Sequence, residues 1–479
     1  MKKIFILIVF FIIIAVFFVY QKKNTTTPPS RLTNSCPNCN LILISVDTLR
    51  KDHLGIYGYP KNITQNIDSW AKEATVFTNA YTLFPLTEHS FFTLFTGTDR
   101  VLSDPDFSQA YPTVMNDYKG DTLAKILKNN NYETQAFITS MVPGTLFKKF
   151  FSIGFNNFKF VNTSKLKDDD PMLHLNAYQD QIAMTTESIN WMSNNRNKKI
   201  FLWMHYLNPH HPYNAPKNYL CRLDSSCYQN YYHDTLDGND KPEACITKLS
   251  DEVKNRQINL YDAEILTTDE QVGRVIKAIK DLNLEKNTLV VFYADHGEGF
   301  DHDMYHHGNS LYSSNVRIPL IIKIPGSSPN KINSLIDNSD IMPSILNILG
   351  VKYDSTNISG KSFDKALLKK DNNDKGKDYI YFITPPDNTH RLGITDGRYK
   401  YMINQGTYCF YNHYRQELYD LQKDPDEMHN IVDEEPEIAD RLKSKLIEKL
   451  SNTYASPPVT NVHTQEEGEI IKGLKSLGY

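Results

Sequence analysis

The sequence predicts an α/β protein: a doubly wound, mostly parallel sheet sandwiched by helices, with a small antiparallel α+β subdomain at its C-terminal end. Three observations carry this. Continuous apolar runs rich in branched side chains, Leu41 to Val46 and Val290 to Ala294, have the texture of parallel strands covered on both faces. Such runs alternate with helix-period segments, the pattern of βαβ units. After about residue 370 the pattern changes to short strand-like runs separated by turns such as Asp396-Gly397.

In chain order, Lys2-Lys3 precedes the seventeen apolar residues Ile4 to Tyr20, and Gln21-Lys22-Lys23 follows. That run is at the short end for crossing a bilayer and long for a signal-peptide core, and no small-residue cleavage pattern follows it. Residues 1–23 are therefore expected to be an uncleaved signal anchor, ahead of a cleaved signal peptide or a buried core helix. The anchor would tie the chain to a membrane and leave the rest exported, periplasmic or extracellular. Residues 24–39, with Thr25-Thr26-Thr27-Pro28-Pro29-Ser30, read as a linker.

A main domain is expected over residues 40–370. Helical patterns are read at 63–77, 122–129, 180–195, 252–282 and 340–349. Strands are read at 41–46, 133–139, 199–206, 288–294 and 318–324. The second unit, 371–479, is read as strands at 379–383, 392–394, 399–403 and 417–419 followed by a helix at 436–450. Fifty-two Lys and Arg against 56 Asp and Glu give a net charge of −4, with no basic field for nucleic acid. Six cysteines permit disulfides in an exported chain. One pair is expected within Cys221, Cys227 and Cys245, and a small disulfide or two inert thiols at Cys36 and Cys39.

The candidate site starts at Asp47, which directly follows a buried strand. In open α/β sheets, ligands bind outside the carboxyl ends of strands. Asp295-His296-Gly297 ends a second such strand, and adjacent Asp and His can reach one ion if the backbone turns sharply at the glycine. Thr87 opens an apolar helical run, where backbone N–H groups favour an anion and where a hydroxyl also serves as a helix cap. Asp47, Thr87, Asp295 and His296 form the simplest complete ligand set. Its oxygen-rich character suits one divalent ion, Ca²⁺, Mn²⁺ or Mg²⁺, and the imidazole also admits Zn²⁺. A metal on Thr87 would activate its hydroxyl as a nucleophile, with Thr82 or Ser90 as alternatives.

The words Leu43-Ile44-Ser45-Val46-Asp47-Thr48-Leu49-Arg50-Lys51-Asp52-His53 and Thr87 to Gly97 resemble the sulfatase family of the alkaline phosphatase superfamily. Leu418-Tyr419-Asp420-Leu421 resembles that family's C-terminal subdomain. The resemblance implies a metal-dependent ester hydrolase that works through a covalent intermediate. Its signature, Cys or Ser, any residue, Pro, Ser, Arg, here reads Thr87, Glu88, His89, Ser90, Phe91, so no formylglycine precursor is present. Asn208-Pro209-His210-His211-Pro212 resembles the family's Pro-His-any-Pro element, which implies His210 against the transferred group. His307 stands where sulfatases place a basic residue, with His306 and His302 as competitors. His205, His306 and His89 complete the candidates as substrate-facing imidazoles. The implied substrate is a small-molecule, glycan or lipid ester of sulfate or phosphate. The alternatives are a phosphoethanolamine- or phosphoglycerol-type transferase and a catalytically degenerate binding module.

Overall fold

The computed structural model describes residues 36–103, 115, 118–139, 145–163, 177–228, 250–302, 305–368, 375–384, 391–404 and 415–454. Its centre is an eight-stranded sheet. The strands are β1 (Asn40–Val46), β2 (Thr75–Phe77), β4 (Glu133–Ile138), β5 (Asn157–Phe160), β6 (Ile200–Tyr206), β7 (Thr288–Ala294), β8 (Leu320–Lys323) and β9 (Asn330–Ile332). A short parallel pair, β3 (Ala80–Tyr81) and β10 (Ile336–Asp337), lies beside it. The order β5-β4-β6-β1-β7-β8-β2-β9 puts β1 at the middle, parallel to both β6 and β7. β8 runs antiparallel to its two neighbours, so the sheet is mostly rather than wholly parallel.

Every residue of β1, β6 and β7 is buried, because both faces of the sheet are covered. Leu41 and Leu43 join a core with Phe91, Phe95, Trp203 and Ile345, under the helices Thr87–Thr96 and Ile341–Leu349. Ile42 and Ile44 join the opposite core with Leu260, Tyr261 and Val275 of the long helix Asp251–Asp281. This alternation is the period of a strand applied to two apolar faces.

The C-terminal sheet is an antiparallel meander, β11 (Ile380–Ile383), β12 (Arg391–Thr395), β13 (Tyr399–Asn404) and β14 (Arg415–Asp420). Helix Pro436–Tyr454 places Leu442, Leu446 and Leu450 in one core with Ile394, Tyr401 and Leu418. Leu311, Tyr312 and Val316 share that core. The small sheet therefore packs on the segment that follows β7.

The stretch 63–77, read as one helix, is instead helix Gln65–Ala71 followed by β2. Residues 75–77 pair antiparallel with β8 and parallel with β9, and those ladders override the local helical pattern. Cys221 pairs with Cys227 and Cys36 with Cys39, while Cys245 and Cys409 lie outside the described residues. The anchor and linker at 1–35 also lie outside them, as does the first half, 371–374, of the boundary at 371–378. Among the described residues no helix is long and apolar enough to cross a membrane.

Candidate active site

The parallel register fixes the site. β1 and β7 are aligned so that Val46 lies beside Ala294, and the next residues, Asp47 and Asp295, leave the sheet side by side. Ser45 pairs with His205 of β6, which brings a third polar group to the same rim. Thr48 turns the chain with φ +53°, a left-handed conformation that is strained for a β-branched residue. The turn aims its N–H at Asp295 Oδ1 at 3.2 Å, and His296 N donates to the same oxygen at 2.9 Å. Tyr261 holds the turn from the other side by donating to Thr48 O at 2.7 Å.

Three buried atoms here have no hydrogen-bond partner among the described residues: Asp47 Oδ1, Asp295 Oδ2 and His205 Nε2. The ligand atoms of these residues lie within 4.8 Å of one another. Buried polar atoms are normally satisfied, so three converging orphans mark a place built for a cation. Burial pushes the Asp47 carboxyl up to about 6, and it raises Asp295, with the Asp47 charge adding to it. Burial opposes a charge on His296, but Asp295 and Asp47 outweigh it and hold its pKa up. A divalent ion would relieve this crowding of carboxylates. Asp47, Asp295, His296 and His205 are the residues present to hold one.

Thr87 is the first residue of helix Thr87–Thr96. The cap position belongs to Leu86, which makes no side-chain cap, so the Thr87 hydroxyl is not spent on capping. Its Oγ1 lies 3.2 Å from His296 Nε2 and close enough to the Asp47 carboxylate to favour its ionised form. The sequence alternatives are placed elsewhere. Ser90 Oγ is fully buried, donates to Asp295 O at 2.7 Å and shares a hydrogen bond with Tyr293 OH, pinning the helix to β7. Thr82 Oγ1 donates to Phe84 O at 3.0 Å.

Facing Thr87 is a wall of imidazoles from two loops. His307 lies 4.5 Å from the His296 ring and 4.8 Å from the His210 ring, centroid to centroid. His306 packs against His211 at 4.5 Å, farther along the same wall. His210 Nδ1 is satisfied by the His211 carbonyl, which fixes the tautomer. Burial, with the His307 charge added, holds its pKa well below the usual imidazole range. His307 Nδ1 is held by Glu298 Oε1 at 3.2 Å. Burial opposes ionisation of Glu298, yet His307 outweighs it and the carboxyl sits at about 2.

The family model described as "Sulfatase" matches residues 39–351, and that described as "N-sulphoglucosamine sulphohydrolase, C-terminal" matches 301–455. The chain belongs to the sulfatase family. An uncharacterized sulfatase of Escherichia coli K12, YidJ, is 26% identical over 437 residues, covering 82% of this chain and 83% of its own. Bovine arylsulfatase K is 30% identical over 244 residues, 49% of this chain, and the match spans only 43% of that protein. A solved structure in complex with D-glucosamine-2-N,6-O-disulfate superposes with a TM-score of 0.66 at 17% identity, covering 88% of this chain and 99% of that one.

Two sequence-level assignments in this sulfatase need correction. His205 was read as a substrate-facing imidazole, but it is fully buried, with Nδ1 against Ser45 Oγ at 3.1 Å and Nε2 turned to Asp47 Oδ2 at 3.6 Å. His89 is also fully buried, its ring stacked on Phe84 at 4.0 Å, and burial pushes it down to about 3. It belongs to the core under the helix. Gly297 has a different reason from the expected sharp turn: a Cβ there would meet Ser314 O at 1.8 Å, so the residue permits a close backbone approach. Sequence reasoning missed Glu298 and Glu264. The only signal for Glu298 was a carboxylate two residues after the Asp-His pair.

Proposed function

We propose that this chain hydrolyses sulfate esters, with one divalent ion held by Asp47, Asp295, His296 and His205 and with Thr87 as nucleophile. The observation that carries the reading is the convergence of three orphaned buried ligand atoms beside a helix-start hydroxyl not spent on capping. A bound divalent ion supplies a lowered hydroxyl pKa and withdrawal of charge from an ester oxygen.

The residues divide the proton work. Thr87 Oγ1 stands against the Asp47 carboxylate, the acceptor for its proton, while His296 Nε2, with Nδ1 engaged by the Gly297 carbonyl, is left for the ion. As its oxygen bonds to sulfur, the bond from sulfur to the leaving alcohol breaks, and that alcohol takes a proton from His307. Glu298 orients this ring in the manner of a carboxylate behind a catalytic imidazole. A sulfated threonine, unlike a formylglycine hydrate, has no carbonyl to collapse to, so water must attack sulfur directly. His210, kept neutral and with Nδ1 already engaged, presents Nε2 as the base for that water.

The related fold solved with a glucosamine disulfate supports a sugar sulfate as substrate. The cystines Cys36–Cys39 and Cys221–Cys227 support an exported location. A second reading, phosphate esters or phosphoryl transfer, is favoured by Thr87 itself, because a phosphothreonine is open to in-line attack at phosphorus. Side-by-side turnover of an aryl sulfate, an aryl phosphate and a phosphodiester, with and without chelator, tests the proposal. Chelator-sensitive cleavage of the sulfate is expected. Cleavage of phosphates alone would select the second reading, and cleavage of none would overturn both.

A further inference from the structure

Beside Arg50 lies a cavity of about 210 Å³, lined by the loop after β1, the segment Ser313–Arg317 and the loop after β14. At roughly 30 Å³ per water it has room for a multi-atom ligand. Most charges along it are matched. Arg50 grips Asp52 with Nε and Nη2 at 3.0 and 2.7 Å and reaches Asp301 at 3.2 Å. Glu427 is paired with the buried Lys400 at 2.7 Å. Asp426 is exposed at the rim.

Two cations lining the cavity are not matched. Lys51 Nζ donates to Thr78 O at 2.5 Å, and Arg317 Nη2 donates to the same carbonyl at 3.0 Å and to Asn79 Oδ1 at 2.7 Å. Neither has a carboxylate within 4 Å among the described residues, and Asp52, held by Arg50, offsets the Lys51 charge only in part. Their mutual repulsion is visible in Lys51, where burial and then the Arg317 charge push the amine down to about 7. Arg317 Nε is buried with no acceptor, and so is the hydroxyl of Ser313, which lines the same cavity. Two crowded cations and two idle donors need several acceptor oxygens and negative charge.

We propose that this cavity is a second oxyanion site, separate from the reaction centre, in which Lys51, Arg317 and Ser313 bind a sulfate- or phosphate-type group. That group is either a free inorganic ion or an anionic substituent of the substrate. The site stands whether or not Thr87 is the nucleophile, because the hydrogen bonds of Lys51 and Arg317 go to Thr78 and Asn79, away from the reaction centre.

Differential acylation of Lys51 near neutral pH, read by peptide mass spectrometry on the full chain, tests it. The probes are inorganic sulfate, inorganic phosphate and glucosamine 6-sulfate. At ten times the dissociation constant a bound group should slow Lys51 labelling about tenfold. Protection should be equal in Thr87→Ala, absent in Arg317→Gln, weakened in Ser313→Ala and partly restored in Arg317→Lys. Protection by the inorganic ions assigns a free oxyanion, and protection by the sugar sulfate alone assigns a substrate group. Lack of protection by all three probes, protection that survives in Arg317→Gln, or protection lost in Thr87→Ala would overturn the proposal.

Discussion

The two halves of the candidate active site are built differently. Asp47, Asp295 and His205 sit at or just beyond the ends of three adjacent strands, buried, with unsatisfied atoms facing one another. His210, His306 and His307 stand on loops, are only partly buried, and each lies within a ring's reach of another imidazole. The strand half is positioned by the sheet ladder, and the loop half needs buried carboxylates behind it. Glu298 holds His307, while Glu264 accepts from Asn208 Nδ2 and, at 2.5 Å, from Asn214 N, at either end of the His210 loop. In the proposed mechanism the rigid half would hold the ion and take the Thr87 proton, and the adjustable half would serve the leaving alcohol and the attacking water.

The largest expected effect breaks the rigid half. Asp47→Asn and Asp295→Asn should each lower metal retention by about a hundredfold or more, and His205→Gln by about ten- to a hundredfold, judged against typical losses for metal-site partners. Metal content of purified protein with its melting temperature checks this. Retained metal in all three variants, with the fold intact, would erase the distinction between the halves. The loop half should respond in the opposite way. Glu298→Gln is expected to cut turnover by about ten- to a hundredfold while leaving metal content unchanged, since only the orientation of His307 is lost.

A smaller effect separates support from chemistry. Ser90→Ala removes a buried hydroxyl bonded to Asp295 O and Tyr293, and should cost about 1–3 kcal/mol of stability in denaturant unfolding. Turnover by the folded fraction should persist, and its abolition would move the nucleophile to Ser90. A further effect, on stability alone, is in pH dependence. Burial raises Glu264 from 4.5 to about 8 in the fold. Its contribution to stability is therefore complete below about pH 4.5 and is lost as pH rises to about 8. Glu264→Gln should flatten the decline in melting temperature across that window, and an unchanged slope would assign the decline to other groups.

Much of the rigid half was legible in the sequence, because continuous apolar runs ending in Asp declare both a buried strand and a carboxylate at its tip. His205 was not legible as a member of this group. Its proximity to Asp47 depends on β6 lying beside β1 with Ser45 opposite His205, and strand order is not a local property. The same limit hid β2, whose three residues become a strand only through partners 243 or more positions away. His89 misled because polar residues near a helix start resemble a site, whereas packing turned its ring onto Phe84. Glu298 and Glu264 act through the loops they hold, and those contacts exist only once the chain is folded.

The proposed mechanism requires Thr87 to carry the transferred group. The most direct measurement is mass spectrometry of protein quenched during turnover, on the tryptic peptide from Glu73 to Arg100. A sulfuryl adduct fragment-mapped to Thr87 is expected, absent from Thr87→Ala, whose turnover should fall by about three orders of magnitude. An adduct on another residue, or full activity in Thr87→Ala, would contradict it.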